Sequence, residues 1–198
     1  MPLKPNEREY RILQENLEPN DNHIIEGYAL TFDRYKLYEK DGIEYFEKFK
    51  REAFDNTDMS DVIMQYDHEG KVLARISNDT LSVEIDDKGL FVKADLSKSE
   101  SARNLYEEIK NGLITKMSWA FPRSSEMRFD KSTRTIIWEK INKIYDVSAV
   151  SIPANQGTSI YARNLVEGVI EQDLKECQER DSKRKKLLLE LELEGESI

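Results

Sequence analysis

Two residue types in this 198-residue chain could together do nucleophilic chemistry: a serine hydroxyl on an alternating run, and a histidine at the end of an apolar one. In residues 113–121 the bulky Met117, Trp119 and Phe121 alternate with Lys116, Ser118 and Ala120. A β-strand sends successive side chains to opposite faces, so this pattern predicts a strand whose bulky face is core. Ser118 is then expected on the lighter face, where a substrate can reach it. A hydroxyl on a rigid strand becomes a nucleophile when a base stands beside it. His68 is the candidate base, because it directly follows the apolar run Val62–Tyr66 and sits among Asp67, Glu69 and Gly70. Imidazole can take a hydroxyl proton near neutral pH. A carboxylate normally orients such a ring and stabilises its charged form. Asp146, at the head of Asp146–Val150, is the candidate, with Asp67 and Glu69 as neighbours that can face elsewhere. Each residue also has a plain structural reading, the serine as a polar strand residue and the histidine as a loop residue bonding locally. His23, on an early alternating run, is read as structural.

Strands must position these groups. Residues 23–32 (HIIEGYALTF) read as a β-rich run, followed by a polar stretch over 33–42. Phe46, Phe49 and Ala53 fall at helical spacing, which predicts a short helix over 45–54. Val62–Tyr66 reads as a buried strand that delivers the chain to His68. Strands are expected at 72–76 and 81–85, with the latter turning through Asp86-Asp87-Lys88-Gly89 into an arm at 90–96. There Gly89 is expected to supply a positive φ. Ser99 is a helix N-cap with Glu100 in the first turn, Ala102, Leu105, Tyr106 and Ile109 form the apolar face, and Asn111-Gly112 is the stop. Strands over 113–121, 133–144 and 145–152 complete the body.

Composition narrows the function further. Hydrophobic residues make up 38% and charged residues 35%, which suits a globular domain with a charged exterior or tail. A net charge of −9 argues against sequence-independent nucleic-acid binding. The two histidines, His23 and His68, lack partners at metal-ligand spacing, and there is no glycine-rich phosphate loop, so neither metal nor cofactor is expected. The lone Cys177 lies in a charged segment and reads as a small apolar residue on a helix face rather than a nucleophile. No run approaches the roughly 20 apolar residues of a membrane span. The charged N-terminus does not resemble a secretory signal, so the protein is expected to stay where it is made. The chain divides into an N-terminal extension (1–22), a body (23–164) and a charged, amphipathic, partly flexible helical tail (165–198).

Seven short blocks stand in order along the chain: Glu26-Gly27-Tyr28-Ala29 with Phe32; Arg51-Glu52-Ala53-Phe54; Gln65-Tyr66-Asp67-His68 with Gly70; Asp87-Lys88-Gly89-Leu90; Lys110-Asn111-Gly112-Leu113-Ile114; Met117-Ser118-Trp119-Ala120-Phe121; and Asp146 through Asn155. Over roughly residues 23–163 their order and spacing resemble the prohead proteases of tailed bacteriophages. The sixth block is similar to that family's nucleophile motif and the seventh to its closing motif. The chain departs from the pattern at Ala120, where members often have glycine, and at Asp146, where they commonly have glutamate. The resemblance implies an α+β, predominantly β fold like the herpesvirus assemblins, an antiparallel barrel-like sheet with a few flanking helices. It implies a serine endopeptidase with Ser118, His68 and Asp146 as catalytic residues, cleaving scaffold and capsid-protein segments, and itself, during prohead maturation. The implied setting is the host cytoplasm, inside the assembling prohead. The implied partners are the major capsid protein, the scaffold and a second copy in a homodimer, with neither nucleic acid nor membrane. Residues 165–198 would serve as a propeptide or as a capsid- or scaffold-targeting segment. The alternative is a catalytically inactive scaffolding or capsid-assembly module on the same fold. No Gly-x-Ser-x-Gly elbow is present. Oxyanion donors would therefore be backbone N–H groups or a basic side chain such as Arg123, whose other reading is a solvated loop arginine. Ser148 and Ser151 are read as structural.

Overall fold

Alternation of buried and exposed side chains at period two builds most of the body. In the computed structural model, which describes residues 8–12, 17–20, 22–40, 42–151 and 160–195, thirteen strands and two α-helices are seen among the described residues. The strands are β1 (Arg8–Ile12), β2 (Glu18–Pro19), β3 (Ile24–Thr31), β4 (Tyr35–Lys40), β5 (Ile43–Phe49), β6 (Ile63–Tyr66), β7 (Glu69–Arg75), β8 (Leu81–Ile85) and β9 (Gly89–Asp95), then β10 (Lys116–Pro122), β11 (Glu126–Asp130), β12 (Thr135–Lys140) and β13 (Asp146–Val150). Helix α1 spans Glu100–Lys110 and helix α2 spans Ile160–Gly195.

The described strands form three sheets, in the orders β1-β10-β13-β6-β7, β11-β12-β5-β4 and β2-β3-β9-β8. The fold is thus α+β and predominantly β. It differs from the expected single antiparallel barrel in two respects. The strands lie in separate sheets, and β13 with β6 and β12 with β5 pair in parallel. An aromatic cluster joins the first two sheets. Trp119 and Phe121 from β10 meet Phe49 from β5 and Trp138 from β12, with ring centroids 4.6 to 5.8 Å apart. Both tryptophans are fully buried. Burying rings of this size is the largest single contribution to such a core, about 1.5–3 kcal/mol for each large apolar side chain.

Helix α1 forms as the sequence predicts. The Ser99 hydroxyl accepts from the Ala102 N–H at 3.1 Å, the buried face is Ala102, Leu105, Tyr106 and Ile109, and Gly112 follows with φ +73°. Residues 43–49 do not form the expected helix. They alternate instead as a strand with Tyr45, Glu47 and Phe49 buried, and only Arg51–Phe54 coils, as a 3-10 turn. Glu47 causes the misreading, because a buried carboxylate breaks the apolar alternation that marks a strand. The polar stretch after residue 32 contains β4, the edge partner of β5. β11, which the sequence does not announce, pairs with β12. Gly89 does not take a positive φ. It is required because a Cβ there would lie 1.9 Å from the Leu30 carbonyl oxygen, and the β3–β9 pairing leaves no room for one.

The chain separates into two units, residues 1–159 and 160–198. In the second unit α2 is one continuous helix, and its side chains from Gln178 to Leu188 are exposed. Among the described residues no helix is long and apolar enough to cross a membrane.

Candidate active site

β10 has two unlike faces. Met117, Trp119 and Phe121 enter the core, as their alternation predicts, and Ser118 and Ala120 occupy the other face. Cross-strand register fills out that second face. Ser118 lies opposite Ile12 of β1 and Ser148 of β13, and Ala120 lies opposite Tyr10 and Asp146. Residues paired in register share a face, so Arg8, Tyr10, Ser118, Asp146 and Ser148 all stand on one surface of the five-stranded sheet.

His68 reaches this surface from the far side of β13. The β6–β7 hairpin turns through Asp67 and His68, with φ +49° and +61°, between the paired residues Tyr66 and Glu69. Positive φ at both central positions is the mark of a type I′ turn, whose twist matches that of the flanking strands. Neither residue is glycine, so the turn carries backbone strain of about 1 kcal/mol or more per residue. Neighbouring contacts hold it. The Asp67 N–H donates to the Ala149 carbonyl at 2.9 Å, and the Asp67 carboxylate accepts from the Ser151 N–H at 2.9 Å and the Ser151 hydroxyl at 2.7 Å.

That turn brings three predicted residues into one hydrogen-bonded line. His68 Nε2 lies 2.6 Å from Ser118 Oγ, and His68 Nδ1 is hydrogen-bonded to Asp146 Oδ1. An ionised carboxylate can only accept, so Nδ1 carries the ring proton, and the Nε2 of a neutral imidazole is left to accept from the serine hydroxyl. Of the three carboxylates near His68 in sequence or space, Asp146 is the one on the ring, and that of Asp67 is committed to Ser151. Asp146 is fully buried. Its Oδ1 also accepts from the Ser148 hydroxyl at 3.0 Å, and its Oδ2 lies 3.4 Å from Arg8 Nη1. The Tyr10 ring packs on the imidazole with centroids 4.4 Å apart.

Two expectations need correction. Ser118 does not lie open on a light face; it is 1% exposed. β1 and β13 flank it on both sides, and Tyr10 and His68 stand over the same surface, so its access is far narrower than strand alternation suggests. Arg123 is neither a solvated loop residue nor an oxyanion donor at Ser118. It is buried, its Nε donates to Glu9 Oε1 at 2.7 Å, and it stands five residues along the chain from the serine, about 16 Å at strand rise.

Beneath the site, on the core face of β1, lies a buried charge network. Arg11 donates from Nε and Nη2 to Glu47 at 2.7 and 2.8 Å, and from Nη1 to Glu9 at 3.0 Å. Trp138 Nε1 donates to Glu47 at 2.7 Å, and the Tyr35 hydroxyl is also bonded to that carboxylate. Burial opposes the Arg11 charge, yet the adjacent and hydrogen-bonded Glu47, helped by Tyr35 and Glu9, holds its pKa above the ordinary value. Burial, and then the Glu47 charge, push the Tyr35 hydroxyl well above the usual tyrosine range, against the pull of Arg11. β1 thus turns Glu9 and Arg11 inward while Arg8 and Tyr10 face the site.

Sequence reading missed Arg8, Tyr10 and the bond made by Ser148. The Ser148 bond was open to discovery, because Asp146 and Ser148 are two residues apart on one strand and must share a face. β1 had no such signal, since its buried positions are charged.

A family model described as caudovirus prohead serine protease matches residues 9–173. No curated protein and no solved structure matches the chain. The match spans most of the sequence, and the chain belongs to the caudovirus prohead serine proteases, a family of hydrolases of phage capsid maturation.

Proposed function

We propose that this family member is a serine endopeptidase whose catalytic residues are Ser118, His68 and Asp146, and that it cleaves scaffold and capsid-protein segments, and itself, within the assembling prohead. One observation carries the reading: the unbroken line of hydrogen bonds from Ser118 Oγ through the imidazole to Asp146. In this scheme His68 Nε2 takes the hydroxyl proton as Ser118 Oγ attacks a peptide carbonyl, giving a tetrahedral oxyanion. Collapse breaks the C–N bond, and His68 returns the proton to the leaving amine. Water, deprotonated by the same nitrogen, then hydrolyses the acyl-serine ester and restores the hydroxyl. Asp146 keeps the ring in the correct tautomer and stabilises the imidazolium in both halves. Oxyanion donors would be backbone N–H groups, worth several kcal/mol in typical acyl-transfer enzymes.

The reading extends to the rest of the chain. The first unit is the protease, with an assemblin-like relationship inferred from its motifs. Residues 165–198 hold it against scaffold or capsid subunits during co-assembly or are removed by self-cleavage. Its protein partners are the major capsid protein, the scaffold and a second copy of itself.

A second reading, a non-catalytic capsid-assembly module on the same fold, draws on the near-complete burial of Ser118. Purified wild type, Ser118→Ala and His68→Ala proteins incubated with the cognate capsid and scaffold proteins separate the two. Processing by wild type alone is expected. Equal processing by wild type and Ser118→Ala would remove the serine from the chemistry. A fluorophosphonate that labels Ser118 in wild type but not in His68→Ala provides the substrate-independent form of the same test.

A further inference from the structure

The Asp146 carboxylate is held at both oxygens, from opposite sides. Oδ1 receives His68 Nδ1 and the Ser148 hydroxyl, while Oδ2 faces the Arg8 guanidinium at 3.4 Å. The carboxyl torsion of an aspartate is a broad, soft, two-fold rotation. A carboxylate tied at one oxygen can swing and carry the imidazole with it; one tied at both cannot. Asp146 is also fully buried, and an adjacent cation offsets part of the cost of taking a carboxylate out of water. Arg8 is itself placed from two directions. Its guanidinium lies 4.3 Å from the centroid of the Tyr145 ring, which precedes β13. Its strand is pinned on the opposite face by the ion pairs from Arg11 to Glu47 and from Arg123 to Glu9. The side chain is 42% exposed, so it can be changed without opening a cavity in the core.

We propose that Arg8 is a positioning residue: by fixing Asp146 Oδ2 it holds the His68 imidazole in line with Ser118 Oγ. The proposal rests on the reading of Ser118 as a nucleophile activated by His68.

The test is a double-mutant cycle read by the rate at which a fluorophosphonate labels Ser118. Arg8→Gln is expected to slow labelling about threefold to fivefold, the scale of a partly exposed ion pair. Arg8→Lys, which keeps a cation, should recover most of the loss. In an Asp146→Asn background Arg8→Gln should change the rate by little, because a residue acting through Asp146 has nothing left to act on. Equal slowing in both backgrounds would assign Arg8 a general structural role and overturn the proposal. A second readout does not depend on turnover. The far-downfield proton NMR signal of His68 Nδ1–H, shared with Asp146, is assignable because the chain has two histidines and His23→Gln removes the other. Loss or solvent broadening of that signal in Arg8→Gln, with recovery in Arg8→Lys, supports positioning, and an unchanged signal refutes it. If wild type is not labelled at Ser118, the nucleophile assignment fails, while the NMR result still decides whether Arg8 orders the imidazole.

Discussion

Removing the Glu47 carboxylate, as in Glu47→Leu, should destabilise the protein severely, although Glu47 touches none of the three site residues. The substitution keeps the volume roughly constant but strands Arg11, which is 6% exposed. That guanidinium cannot escape by losing its proton, since arginine stays protonated in proteins even when buried. Breaking a buried ion pair from one side costs about 3–5 kcal/mol. Arg11 retains Glu9 at 3.0 Å and the Tyr10 carbonyl at 2.9 Å, which argues for the lower figure, about 3. Trp138 Nε1 also loses its acceptor at 2.7 Å, adding about 1–3 kcal/mol for a buried donor left unpaired. The expected loss is therefore about 4–6 kcal/mol, a large part of a typical domain's stability of about 5–15. Urea unfolding followed by tryptophan fluorescence reads this directly, because both tryptophans, Trp119 and Trp138, are buried in the affected region. At about 2–3 kcal/mol per molar urea the midpoint should fall by about 2 M. Arg11→Met combined with Glu47→Leu removes the stranded charge and should recover about half of the loss. A loss below about 1 kcal/mol in the single variant, or a double variant no better than the single one, would refute the argument that the network's charges depend on one another.

Gly89→Ala should cost more than an ordinary strand substitution, because its Cβ would meet the Leu30 carbonyl at 1.9 Å. A loss of about 3 kcal/mol by urea titration is expected, and a near-neutral result would mean that the β3–β9 pairing can open. Stability should also fall in alkali. The folded pKa of Tyr35 is raised above its unfolded value of about 10. Its contribution is therefore complete below that pH and is lost as pH rises toward the folded value, since the unfolded chain gives up the proton first. Tyr35→Phe should flatten that alkaline decline in a thermal-melt series, and an identical slope in both proteins would contradict it.

What could be read from the sequence depended on whether burial and polarity agreed. α1 was legible to the residue because Ser99, its apolar face and Gly112 all say the same thing. Ser118 was legible as a strand residue, His68 as a residue at a strand end and Asp146 as one of three candidate carboxylates, and the folded chain brings His68 within hydrogen-bonding distance of Ser118 and Asp146. β5 and β1 were not legible. Glu9, Arg11 and Glu47 are buried only because they satisfy each other, and pairing across 36 residues leaves no local periodicity. Missing β1 had two further effects: it made Ser118 look open and left Arg123 without its partner Glu9. Turn chemistry misled for a related reason. Gly89 sits where a turn glycine would, but a close approach between strands, not backbone angle, demands it.

The origin of the site along the chain has a consequence for timing and for damage. Ser118 and His68 are 50 residues apart, His68 and Asp146 are 78 apart, and Arg8 and Asp146 are 138 apart. No contiguous fragment short of nearly the whole first unit contains all four. A chain still emerging from the ribosome therefore cannot assemble the line of hydrogen bonds until β13 is made and has paired with both β10 and β6. Contacts of such separation are also the slow ones to form. The same layout grades every position by what a backbone cut there would do. A break anywhere between residues 8 and 146 divides the four residues between two pieces, whereas a break beyond Ser151 leaves them on one. A cut within α2 leaves all four residues on one piece, whereas a cut just after β1 parts Arg8 from the other three.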